Sequence, residues 1–184
     1  MTVVSIVASP RKNGAGDRIA GQIEAGARSA GRDVVRFNLN DMRSYRQCQN
    51  CEACKNNGGT CVIKDDISPI IDAVRDAEAV ILCTNISFNE MNGLFKLFHD
   101  RMYVFLDMNA TTILPKGKKL ATVVTAGLDD ISADRVSKSI EKVMAEHFFF
   151  EPVGRMTYLT WMMPRESPMD ESVLKEAYDI GTRL

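Results

Sequence analysis

Short β-branched runs alternate with longer stretches of helical spacing through the whole chain, and this alternation restricts the folds open to it. Val3–Ala8, Val34–Asn38, Ala79–Thr84, Leu120–Thr125 and, less regularly, Val153–Leu159 are predicted strands. Asp17–Ala30, Ile67–Asp76, Gly93–Asp107, Ser132–Phe148 and Asp170–Arg183 carry apolar residues at helical spacing. Near-continuous Val, Ile and Leu runs are those of strands buried on both faces, so the alternation predicts a parallel sheet with helices on each side. No Pro-, Gly- or Ser-rich linker, internal repeat or low-complexity segment divides the chain, and the expectation is one domain over residues 1–184.

Five such strands suit an α/β, flavodoxin-like three-layer sandwich, with a five-stranded parallel sheet of order 2-1-3-4-5. The segment of about 41–66 is then a cysteine-rich insertion after strand 2, long enough to carry a function. With 23 basic against 24 acidic side chains, no global field gathers nucleic acid or an anionic membrane. Met1–Ala8 is apolar but short, and Arg11 and Lys12 follow it rather than precede it, so neither a signal peptide nor a membrane span is expected. A cytoplasmic location follows, in which clustered thiols suit metal or redox chemistry better than structural disulfides.

Four of the five cysteines fall in that segment: Cys48, Cys51, Cys54 and Cys61, spaced C-x2-C-x2-C-x6-C. Thiolates are soft donors, three at three-residue steps can converge on one centre, and Gly58-Gly59 lets the chain fold back to deliver a fourth. A ferredoxin run shares the first two spacings but brings its last cysteine after three residues and before a proline, where this chain has six residues and Val62. The residues alone admit a [4Fe-4S] site, reduced thiols without a cofactor, zinc or a redox disulfide. Cys83, at the end of strand 3, reads as a small buried hydrophobe rather than a fifth ligand.

In a sheet of this order, ligands bind beyond the carboxyl ends of the strands at the switch point between strands 1 and 3. The loop Ser9-Pro10-Arg11-Lys12-Asn13-Gly14-Ala15-Gly16-Asp17 offers backbone donors, a hydroxyl and a guanidinium at a helix N-terminus, which suits a phosphate. It is not a Rossmann fingerprint, because Ile19 stands where the third glycine of G-x-G-x-x-G belongs. Apolar Phe88 and Met91 beside polar Asn85, Ser87 and Asn89 suit a planar heteroaromatic ring, and Thr125-Ala126-Gly127-Leu128 forms a third loop.

Together these residues resemble the flavodoxin-like NAD(P)H-dependent FMN reductases and, within them, the iron–sulfur flavoproteins. Three segments carry the resemblance: Ser9-Pro10-Arg11-Lys12, the four cysteines followed by Val62-Ile63-Lys64-Asp65-Asp66, and Leu94-Phe95-Lys96 with Asp100-Arg101. It implies FMN with its phosphate on Ser9, Arg11, Lys12, Asn13, Gly14, Ala15 and Gly16. The ring would lie against Asn85, Ile86, Ser87, Phe88, Asn89, Glu90 and Met91, with its far edge at Thr125, Ala126 and Gly127. It also implies a [4Fe-4S] cluster on Cys48, Cys51, Cys54 and Cys61, and electrons passing between cluster and flavin. The donor would be NAD(P)H or a small-molecule or protein partner such as a ferredoxin-like carrier, and the assembly a homodimer or homotetramer. The cofactors carry the chemistry, so no catalytic acid or base is assigned. Relatives often have Asn and a hydroxyl or thiol residue where this chain has Ala15 and Gly16, so phosphate contact there falls to backbone N–H groups, beside the unhelpful charge of Asp17. The alternatives are a cluster-free NAD(P)H-dependent flavin or quinone reductase, and a non-enzymatic electron carrier or redox-sensing module using the cysteines alone.

The remaining features read as structural. Asp65-Asp66 suits an N-cap and first-turn acid before the second helix, and Lys116–Lys119 a solvated turn. Met102, Phe105 and Met108 read as the buried stripe of the third helix, while His99 and His147 lack a nucleophile to activate. Met162-Met163-Pro164 suits core or interface packing, or the wall of a neighbouring subunit's flavin pocket.

Overall fold

The structure, a computed structural model, describes residues 1–161 and 167–184; Met162-Met163-Pro164 lies outside the described residues. Five strands, β1 (Thr2–Val7), β2 (Asp33–Asn38), β3 (Ala79–Ser87), β5 (Lys119–Ala126) and β6 (Glu151–Leu159), pair in parallel in the spatial order β2-β1-β3-β5-β6. This is the flavodoxin-like parallel arrangement, with one correction to the expected strand count. A sixth strand, β4 (Glu90–Met91), turns back antiparallel on the end of β3 through Ile86↔Met91 and Ser87↔Glu90. Two residues are too few to show a periodicity. The turn between them, Phe88-Asn89, has positive φ at both positions, the backbone that makes a tight hairpin follow the twist of its strands.

Helices α1 (Ala15–Ser29) and α5 (Glu171–Thr182) cover one face of the sheet, where Val3, Val7, Ile81 and Val123 meet Ile19, Ile23 and Ile180. Helices α2 (Ser68–Asp76), α3 (Gly93–Arg101) and α4 (Asp130–Phe148) cover the other, where Val4, Ile6, Leu82 and Val124 meet Ile70, Phe95, Phe98 and Ile140. α1 and α5 cross at backbone contact. A Cβ on Gly26 would lie 2.0 Å from the Tyr178 carbonyl oxygen, and one on Gly181 2.0 Å from that of Ile23. β6 forms an edge, where Pro152, which has no N–H to donate, is tolerated beside a register shift at Leu120/Ala121.

Three local expectations change. The third helix ends as an α-helix at Arg101 and continues as a 3-10 turn over Met102–Phe105. Met102 and Phe105 are buried but Met108 is 64 % exposed, because the chain has by then left the helix to bridge Leu106 with Thr112. Lys118 is not part of a solvated turn. It is buried, and its Nζ donates to the carbonyls of Arg75, at 2.9 Å, and Ala77 at the end of α2, while burial lowers its pKa. Asp65 and Asp66 do not cap α2, which starts at Ser68 with Ile67 in the capping position. Asp66 instead faces the segment that carries the cysteines, and Asp65 bridges the two, its Oδ2 turned to that segment and its Oδ1 accepting the Ile67 N–H just before α2.

Candidate functional site

The loops after β1, β3 and β5 meet at the carboxyl edge of the sheet and line a solvent-open cleft there, the place where sheets of this order bind ligands. Ser9, Pro10, Arg11, Gly14, Ala15 and Gly16 come from the first loop, Asn85 and Ile86 from the second, and Thr125, Ala126 and Gly127 from the third. Thr160, absent from the sequence expectation, completes the wall. Its N–H and hydroxyl both donate to the Ala126 carbonyl, at 2.8 and 3.0 Å. Its position after β6, next in the parallel sheet to β5, is the signal that would have found it.

The first loop is shaped for an anion. Gly14 precedes α1 in extended conformation without a side-chain cap, so the first N–H groups of the helix and the positive end of its dipole are uncovered. Arg11 is exposed and has no acidic partner among the described residues. Lys12 and Asn13 lie outside the cleft walls, Lys12 turning to Asp41 at 3.4 Å. The Asn13 N–H donates to Asp17 Oδ2 at 2.7 Å, and Asp17 Oδ1 pairs with Arg36, so the acid that looked unhelpful to a phosphate is neutralised within the fold. Beneath the loop, the Cys83 thiol points at the Gly16 carbonyl 3.4 Å away, and burial pushes its pKa up to about 12. It belongs to the core on the α1 side of the sheet, whereas Cys54 packs on the opposite side, which separates Cys83 from the cysteine segment.

The second loop is organised by Asn92. Its Nδ2 donates to the Ala8 carbonyl at 2.6 Å and to Asn85 Oδ1 at 2.7 Å, and its Oδ1 caps α3 by accepting from the Phe95 N–H at 2.9 Å. One side chain thus joins the ends of β1 and β3 to the start of α3. Ser87, Phe88, Asn89, Glu90 and Met91 form the hairpin instead of a cleft wall. Phe88 at its tip is 102 % exposed, and Glu90 pairs with Arg135 on α4 at 2.9 Å.

The second centre is a small recess whose walls include Cys48, Cys51, Cys54 and Cys61 with Arg101. The glycine turn closes it as the spacing predicted: Gly58 and Gly59 both have positive φ, and the Asn57 and Gly59 N–H groups donate to the Cys54 carbonyl at 3.2 and 3.0 Å. Burial pushes the Cys54 thiol up, the adjacent Lys55 opposes this, and the neighbouring Cys61 and Cys48 add to it. Asn50 and Glu52 are left-handed, a backbone form that gathers N–H groups into anion-binding concavities. Among the described residues, no backbone N–H from Gln47 to Glu52 donates a hydrogen bond. Soft sulfur donors beside free N–H groups are the chemistry that an anionic, thiolate-bound cluster needs. Among the described residues, no three His, Cys, Asp or Glu side chains are grouped around a single metal ion.

Two carboxylates hold the segment in place. Asp66 Oδ2 accepts the N–H groups of Arg43 and Ser44 at 2.7 and 2.9 Å, bonds that hold its carboxyl below the ordinary range. Asp65 accepts the N–H groups of Arg46 and Ile67 at 2.9 and 3.1 Å. Neither histidine lines the cleft or the recess: His147 is exposed, and His99 stacks on Phe95 at 5.8 Å. Among the described residues, no helix is long and apolar enough to cross a membrane.

Comparison with known proteins agrees with this geometry. Residues 1–159 match the family described as NADPH-dependent FMN reductase. An iron-sulfur flavoprotein of Archaeoglobus fulgidus is 28 % identical over 95 residues, 52 % of this chain and 45 % of that protein, so the chain spans about half the length of the curated relatives it matches. Two solved structures share the fold. A flavodoxin from the domain Archaea superposes with a TM-score of 0.59 over 100 % of this chain and 95 % of its own, at 16 % identity. The NAD(P)H:quinone oxidoreductase from Methanothermobacter marburgensis superposes with a TM-score of 0.65 over 100 % and 96 %, at 14 % identity.

Proposed function

Because the chain belongs to the NADPH-dependent FMN reductase family, we propose that it is an FMN-dependent oxidoreductase of the iron–sulfur flavoprotein type. The observation that carries the reading is the convergence of three sequence-distant loops on one cleft at the carboxyl edge of the sheet. The start of α1 with Ser9, Arg11, Gly14, Ala15 and Gly16 suits the FMN phosphate, and Asn85, Ile86, Thr125, Ala126 and Gly127 suit the ring. Arg11 supplies the cation, the α1 N–H groups supply donors, and Asn92 keeps the second loop against the first.

Cys48, Cys51, Cys54 and Cys61 are the proposed ligands of a [4Fe-4S] cluster, supported by the shared recess, the free backbone donors and the name of the archaeal relative. Four thiolates on one zinc ion stand only ~3.8 Å apart, from a Zn–S bond of about 2.3 Å. A cluster instead gives each thiolate its own iron, so its ligands need not meet around one point. When bound, FMN exchanges electrons in pairs or singly and a cluster singly, so the protein's part is to hold, orient and tune both. NAD(P)H or a reduced carrier is the proposed donor, with a homo-oligomeric assembly in the cytoplasm and the whole chain acting as one domain.

A second reading, a flavin or quinone reductase without a cluster, is supported by the description of the matched family, which names a flavin reductase and no cluster. The deciding experiment is an ultraviolet–visible spectrum of anaerobically purified protein, with acid-extracted flavin, iron and sulfide measured on the same sample. Flavin with about four irons per chain is expected for one four-thiolate centre. Flavin without iron, after anaerobic reconstitution, would select the second reading, and absence of flavin would reject both.

A further inference from the structure

Arg101 is the largest fully buried side chain of the protein's described residues, at 2 % exposure, and it stands on the wall of the cysteine recess. Its Nη1 donates to the Arg46 carbonyl at 3.0 Å and to Asp65 Oδ2 at 2.8 Å, and its Nη2 to the Ile63 carbonyl at 3.4 Å. Arg46 lies two residues before Cys48 and Ile63 two residues after Cys61. One planar guanidinium therefore ties the outgoing limb of the cysteine segment to the returning limb. Asp65 closes the ring by accepting the Arg46 N–H at 2.9 Å. The Nε of Arg101 is buried and has no hydrogen-bond partner among the described residues. A buried charge is normally fully paired, so this guanidinium, on a residue that lines the recess, keeps a donor without an acceptor among the described residues.

We propose that Arg101 is the positioning residue of the cysteine centre: its guanidinium staples the two limbs over the recess and sets a buried positive charge against the anionic iron–sulfur group that the four thiolates would hold. The charge role rests on the cluster reading above, whereas the staple role does not. Lysine can restore the charge but not the fork that reaches two carbonyls and a carboxylate at once. Loss of the charge disfavours addition of an electron to the group and lowers its reduction potential. Asn at position 65 leaves the guanidinium uncompensated and raises it.

The test compares wild type with R101Q, R101K and D65N, using circular dichroism to establish that each is folded. Tryptic cleavage within the segment, at Arg43, Arg46, Lys55 and Lys64, reports the staple. Spectroelectrochemical titration of the reconstituted cluster reports the charge. R101Q and R101K are both expected to be cut at least tenfold faster than wild type. R101Q should lower the potential by the equivalent of a tenfold change in the one-electron equilibrium, about 59 mV. R101K should keep most of the wild-type value and D65N should shift it upward. If R101Q does not fold, R101K still gives the cleavage rate and D65N the shift in potential, and a folded D65N with an unshifted potential overturns the charge role. Folded R101Q cut no faster than wild type overturns the staple. Faster cutting with an unchanged potential makes Arg101 a structural residue only and overturns the charge role. Wild type that takes up no iron or sulfide sinks the cluster reading and the charge role together, and the tryptic rates then decide the staple alone.

Discussion

Replacing Gly59 by Ala probes the turn on which the cysteine centre depends. Gly59 has φ +73°, and a Cβ there would lie 2.1 Å from Ile113 Cδ1 and 3.4 Å from the Val104 carbonyl oxygen. Left-handed backbone costs a residue with a Cβ ~1–2 kcal/mol. The obstructing atom is the end of a side chain that is 45 % exposed, so it can swing away, at ~0.5–1.5 kcal/mol if Ile113 leaves its rotamer. The sum is about 1.5–3.5 kcal/mol for G59A. Neighbouring Gly58 is also left-handed, at φ +58°, but a Cβ there meets nothing within 4 Å, so G58A carries only the backbone cost. With ~2–4 °C of melting temperature per kcal/mol for a chain of this size, G59A should melt roughly 3–14 °C below wild type and G58A clearly less. Thermal unfolding followed by circular dichroism measures both, and adding I113A to G59A should return it to the level of G58A. A G59A protein as stable as G58A would refute the argument that Gly59 is required by contact as well as by φ.

Three further perturbations test other parts of the structure. G181A places a Cβ 2.0 Å from the Ile23 carbonyl, a helix backbone atom that cannot swing aside, so urea denaturation should show a loss at or above the ~1–3 kcal/mol typical of overpacking. Because α1 begins at the cleft, the same variant should bind added FMN more weakly by fluorescence titration. Asn92→Ala removes the α3 cap and two further hydrogen bonds, and should cost about 2–3 kcal/mol in urea unfolding, at ~1 kcal/mol for each. Burial lowers the pKa of His99 to about 4 from 6.5. The unfolded chain then binds the extra proton between those values, so stability is lost as pH falls from 6.5 through 4, by up to about 3 kcal/mol at ~1.36 kcal/mol per unit. Denaturant titrations from pH 7 to 4 should show this slope in wild type and a flatter one in His99→Gln; equal slopes would remove His99 as its source.

Local pattern was sufficient wherever one residue's environment follows from its near neighbours. The runs Val3–Ala8, Ala79–Thr84 and Leu120–Thr125 are apolar on both faces because helices cover both, and that alternation carried the parallel sheet and the ends of the strands where the cleft lies. The turn at Gly58-Gly59 was legible for the same reason, since it needs only φ freedom beside a short spacing of cysteines. The two-residue strand β4 was not, and residues 87–91, grouped by composition as a ring-binding loop, became a hairpin beside the cleft.

What the chain decided only by folding are the partners of its charges. Asp17 looked hostile to a phosphate until Arg36 came to it from β2, and Lys118 looked solvated until the end of α2 offered it two carbonyls. Arg101, 36 residues from Asp65 in sequence, became part of the cysteine centre. Apolar burial repeats with the period of the helix or strand, so it is written locally in the sequence. A hydrogen bond or ion pair has no period and depends on which distant groups the packed layers bring within about 3 Å.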